Sequence, residues 1–217
     1  GGRLRRAYER AGQTGEVLAR IVAELAQASG RPVSVIGHSL GGRVALSCLA
    51  TAELGSLSRM VLLNAAEFRD MAEHAVNSPA GARAEILNVI SRENDLFDVA
   101  LERLIGGGRR RAIGLGLPQP RSNWIDLQID ESRSLRALAG LGYPVSVRRR
   151  LLSHWSPCQT PGLFNLYRTI LCAPGALPWQ VLRQNLPDRP EPRWSRLVNW
   201  GRDAAPAIPS HGLAQTA

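Results

Sequence analysis

A chain of 217 residues, 44% hydrophobic and 21% charged, is long enough to bury one ordinary core. It holds no run of roughly 18 apolar residues, which excludes a membrane-spanning helix. Its formal net charge of +9 rests on 27 basic residues, all of them arginine; with no lysine present, a Walker-type phosphate loop is excluded.

Three cysteines, Cys48, Cys158 and Cys172, stand at no metal or redox spacing. Their odd number argues for reduced thiols rather than a disulfide framework. Two arginine triplets, Arg109–Arg111 and Arg148–Arg150, have no aromatic interleaving and no nucleic-acid-binding motif beside them. They read as solvated faces, and no nucleic-acid partner is expected.

The chain opens GGRLRRAYER, without methionine and without the apolar core of a leader peptide. Residues 14–29 place Val17, Leu18, Ile21, Val22 and Leu25 at helical spacing, predicting one apolar stripe, with Gly30 suited to the helix end. A short buried strand is predicted from Val33 to Ile36, and a largely apolar helix over 42–54. Two further buried strands follow at Met60–Asn64 and Glu85–Ile90. An amphipathic helix over 96–105 ends at three glycines. Another strand is read within 123–130, and a closing helix over 162–172. Beyond Ala173, seven of the 14 prolines and several tryptophans suggest an irregular tail that wraps the body. Strands alternating with helices predict an α/β fold with a mostly parallel sheet. The expected division is a domain over 1–172 and a tail over 173–217.

Between the first strand and its helix lies Gly37-His38-Ser39-Leu40-Gly41-Gly42. A G-x-S-x-G corner in this context holds its serine in a strained conformation and pushes Oγ clear of the sheet. Gly37 and Gly41 are expected to keep side chains out of that tight corner. The following helix directs its free N–H groups at the same point, so the Leu40 N–H can stabilise an oxyanion there.

The stretch resembles the nucleophile elbow of α/β-hydrolase-fold esterases and lipases, over about residues 14–172. That resemblance implies the chain order nucleophile, acid, histidine, with Ser39 as nucleophile and His154 (in Ser153-His154-Trp155-Ser156) as base. His38 sits inside the elbow, where the family commonly has a non-catalytic histidine. His74 reads as a surface helix residue, and His211 lies in the tail. The acid is expected a few residues past the Glu85–Ile90 strand. Asp95 is the first choice, Glu93 the alternative and Asp98 the third; Asp95 also suits a helix cap. Glu67 and Asp70, past the preceding strand, form a further alternative.

The implied chemistry is hydrolysis of a small-molecule carboxylic ester or related acyl bond, with no metal and no cofactor. An acyltransferase or thioesterase on the same residues, or a non-catalytic interaction module, are the alternatives. Segments 106–122 and 131–153 are candidates for a mobile cover. The family normally has strands before the elbow and a loop supplying a second oxyanion donor. Here only 32 residues precede Val33, so the expectation is the C-terminal two-thirds of a longer hydrolase. The compartment is left open, with the odd cysteine count and the lack of a leader or spanning segment in this stretch favouring a cytoplasmic setting.

Overall fold

The computed structural model describes residues 2–147 and 150–198. Arg148 and Arg149 of the second triplet, Trp200 and His211 lie outside the described residues. Four parallel strands, β1 (Val33–His38), β2 (Leu57–Leu63), β3 (Glu85–Ile90) and β4 (Trp124–Gln128), pair in sequence order. β2 and β3 are covered on both faces, which is why they read as nearly unbroken apolar runs. Alternate residues serve opposite sides. Met60, Leu62 and Ile86 join the core beneath the first helices, while Val61, Leu63, Leu87 and Val89 join the core on the other face. The class is α/β.

One layer holds α1 (Gly2–Ser29), α2 (Leu40–Thr51) and α3 (Arg69–Val76); α4 (Asp95–Leu104) starts just beyond β3. The other face is covered from α5 (Ser132–Gly140), α7 (Leu163–Cys172) and α8 (Trp179–Asn185), whose Leu138, Leu166, Ile170 and Leu182 are fully buried. Two short helices, α6 (Ser156–Gln159) and α9 (Ser195–Val198), flank the carboxyl ends of the strands through their contacts with residues 93 and 130.

The buried face of α1 departs from the expected stripe. Tyr8, Ala11, Gly12, Gly15, Ala19 and Val22 face inward, while Val17, Ile21 and Leu25 are about half exposed. Close approach to α2 decides this. A Cβ on Gly15 would stand 2.5 Å from both the Val44 carbonyl oxygen and Ser47 Cβ, so small residues form the seam and larger ones turn outward.

Two other expectations give way. The tail contains α8, and its Trp179, Leu182 and Leu186 are part of the core rather than an irregular wrap. The middle of segment 106–122 is no loose cover. Ala112 and Ile113 are buried, the Ile113 N–H donates to the Glu67 carbonyl, and Asn88, Arg69 and Arg92 donate to the carbonyls of Ile113, Gly116 and Gly114.

Candidate functional site

The segments that carry Ser39, Asn64 and Asn94 leave the carboxyl ends of β1, β2 and β3, where open α/β sheets usually place ligands. At the end of β1, Ser39 has φ 54° and ψ −121°, outside the conformations an L-residue ordinarily takes. Neighbouring backbone over-determines it. The Ser39 N–H donates to the Leu63 carbonyl at 3.0 Å, and its own carbonyl accepts from Gly42 at 3.0 Å and Ala66 at 2.9 Å. A Cβ on Gly37 would lie 2.4 Å from the Gly41 carbonyl oxygen, which accounts for the first glycine. The second differs from expectation: a Cβ on Gly41 meets open space, whereas one on Gly42 would stand 2.4 Å from Ala65 Cβ. The close approach therefore falls on Gly37 and Gly42. Leu40 opens α2, so its N–H belongs to the first turn, whose donors lack intrahelical partners.

His154 arrives at this corner from the far end of the chain. Its carbonyl accepts from His38 Nε2 and from Asn64 Nδ2, each at 3.0 Å. The rings of His38 and His154 are 4.6 Å apart. Trp155 stacks on His38 at 4.4 Å, and Phe97 lies 4.7 Å from the His154 ring. Asn64, which follows β2, holds a φ of 40° to reach the loop. Neither Ser39 Oγ nor His154 Nε2 makes a hydrogen bond among the described residues.

The residue on the imidazole is not a carboxylate. His154 Nδ1 meets Asn94 Oδ1 at 2.7 Å, and Asn94 Nδ2 donates to Asp98 Oδ1 at 2.9 Å. That second bond fixes the amide with its oxygen toward the ring. The ring accordingly carries its proton on Nδ1 and keeps the Nε2 lone pair, the tautomer a base requires. Burial, helped by the neighbouring His38, pulls the His154 pKa down to about 4, so the ring is neutral at neutral pH.

Asp95, one position along, faces elsewhere. Arg92 Nη1 lies 3.1 Å from Asp95 Oδ1, and the Trp194 N–H donates to Oδ2 at 2.7 Å. Burial raises its pKa, against the pull of Arg92. A 3₁₀ turn over Arg92–Asn94 separates the two side chains: Asn94 ends the turn and Asp95 begins α4. Glu93-Asn94-Asp95 offers two carboxylates and one amide; any side chain able to accept from Nδ1 fits the position, and Asn94 is the one that reaches it.

Glu93 clamps the histidine loop. Its carbonyl accepts from the Ser153 N–H at 3.0 Å, Oε2 from Ser156 Oγ at 2.5 Å, and Oε1 from the Arg150 N–H at 3.0 Å. Arg196 pairs with the same carboxylate at 2.5 Å. Asp98 is buried behind Asn94.

Glu67 belongs to a separate cluster. It accepts from Tyr8 and Arg43, each at 2.5 Å, and so pins α1 to α2 and to the end of β2. Asp70 pairs with Arg110 at the surface, and His74 is exposed on α3. Cys48, Cys158 and Cys172 are free. Among the described residues no cluster of histidine, cysteine or acidic groups has the arrangement to hold a metal, and no helix is long and apolar enough to cross a membrane.

Fold and corner together define an α/β protein whose parallel sheet carries a strained serine at a strand–helix junction. Residues 3–66, from α1 through the corner to the end of β2, match the model of a family described as "Protein of unknown function (DUF726)". Comparison with curated proteins and with solved structures returns no significant match. The matched stretch contains Tyr8, His38, Ser39, Arg43 and Asn64, but neither Asn94 nor His154.

Proposed function

We propose that this chain is a serine hydrolase acting on a carboxylic ester or related acyl bond. The observation that carries the reading is the strained Ser39 corner with the His154 loop bonded to the adjacent His38. Ser39 Oγ attacks the acyl carbon as its proton passes to His154 Nε2, and the Leu40 N–H bonds the oxyanion. Collapse of the tetrahedral intermediate expels the alcohol, which takes the proton from Nε2. Water then repeats the sequence on the acyl-enzyme, and Ser39 is regenerated. Asn94 orients the imidazole; as an amide it supplies no charge to the imidazolium.

Incubation with a fluorophosphonate tests this reading. Labelling of Ser39 that disappears in Ser39→Ala is the expected result, and a folded protein left unlabelled overturns it. A non-catalytic binding module is the second reading. It is favoured by the amide on His154 and by a Ser39 hydroxyl without a partner, and it predicts the unlabelled outcome.

A further inference from the structure

One buried carboxylate beside the site has no part in that mechanism. Asp98 is 4% exposed, sits on the first turn of α4, and packs so tightly on Gly114 that a Cβ there would collide with its Oδ2. Among the described residues its one hydrogen-bond partner is Asn94. Asn94 thus stands between two groups, bonded to His154 Nδ1 on one side and Asp98 Oδ1 on the other. An amide in that position has two orientations, and its neighbours choose between them.

We propose that Asp98 is a positioning residue of this site, whose ionisation sets the orientation of the Asn94 amide and through it the His154 tautomer. The inference rests on the serine-hydrolase reading for its catalytic meaning. An ionised Asp98 only accepts, so it takes the Asn94 NH₂ and turns the amide oxygen to His154. Nδ1 then carries the proton and Nε2 is free to act as base. A protonated Asp98 can donate to the amide oxygen instead. With the amide turned over, its NH₂ faces Nδ1, the ring proton moves to Nε2, and the lone pair needed for Ser39 is lost. No proton travels through the amide; each group exchanges with solvent.

The surroundings of Asp98 place this choice within the physiological range. Burial pushes its pKa up to about 7, with Asp95 and Glu102 on α4 adding to the rise and Arg92 and Arg193 opposing it. His154 faces only His38 among charged or titratable groups that shift it, and its ring stays neutral well below that value. Between these two values the ring changes tautomer without changing charge.

Nitrogen-15 spectra of the histidine rings in the unliganded protein read the tautomer directly. In the wild type, His154 is expected as the Nδ1–H form at about pH 8.5 and to gain Nε2–H character by about pH 5.5. Asp98→Asn removes the fixed acceptor and should give mixed tautomers at both pH values, with Ser39 labelling slowed about two- to threefold, in step with the share of rings lost from the Nδ1–H form. Moving the carboxylate one step inward, in the double variant Asn94→Asp with Asp98→Asn, should restore the Nδ1–H form and faster labelling. A wild-type ring that keeps one tautomer over this range overturns the inference, even if Asp98→Asn fails to fold. So does an Asp98→Asn protein with wild-type spectra. If the tautomer follows Asp98 but Ser39 is never labelled, the positioning stands and the hydrolase reading falls.

Discussion

The Ser39 corner and the His154 loop lie side by side, joined through His38, but are held by different means. The Ser39 corner is built from contiguous backbone: a strand end, a positive φ, and a glycine whose missing side chain admits Gly41. The His154 loop is held by residues gathered across the chain, with Glu93 bonding Ser153 through its carbonyl and Ser156, Arg150 and Arg196 through its carboxylate, and Asn64 and His38 bonding the His154 carbonyl. A local device is stiff because few torsions are free. A gathered one is only as firm as its buried ionic bonds, and breaking one leaves a desolvated charge behind.

The largest expected effect is on the gathered side. Glu93→Ala removes a carboxylate 1% exposed and should cost about 3–5 kcal/mol in urea unfolding, with new proteolytic cleavage within residues 150–156. A loss under about 1 kcal/mol would mean the loop does not depend on Glu93. On the local side, Gly37→Ala forces a Cβ onto the Gly41 backbone and should cost about 1–3 kcal/mol. Gly41→Ala, facing open space, should cost about 1 kcal/mol or less. Equal losses in the two alanine variants would refute the placement of the tight contact.

Acid titration separates the groups further. The folded His154 value of about 4 is below its ordinary 6.5, so the unfolded chain binds the proton first and stability falls as pH drops from 6.5 to 4. Asp98 acts in the opposite sense. Its value of about 7, against 3.8, makes the folded state bind the proton first, so its contribution falls as pH rises from 3.8 to 7. His154→Gln should therefore flatten the acid loss, and Asp98→Asn should steepen it, in denaturant midpoints measured across that window. Opposite slopes would reject these pKa directions. The smallest effect is expected at the surface, where Asp70→Asn breaks an exposed pair with Arg110 and should change stability by less than about 1 kcal/mol. A larger loss would show that segment 106–111 relies on that pair.

The four strands and the corner were legible because their signals are short-range: an apolar run, glycines flanking one serine, a helix pattern following. The apolar run Glu85–Ile90 matches β3 end to end, and α2 starts two residues earlier than its pattern suggests. The seam of α1 was not legible, since Val17, Ile21 and Leu25 satisfy helical periodicity as well as Ala19 and Val22 do. Only the nearness of α2 shows that glycine and alanine belong inside. The tail is opaque for a related reason: its prolines mask a two-turn helix whose Trp179 and Leu182 help close the second core.

From the sequence alone came the parallel α/β class and the serine at the strand–helix corner, because periodicity and a glycine-bounded turn act over a few residues. Tertiary structure alone decided which side chain meets His154. Asn94 and Asp95 are neighbours with nearly the same shape, and only a single 3₁₀ turn, braced by Arg92, Trp194 and Asp98, determines which one points at the ring.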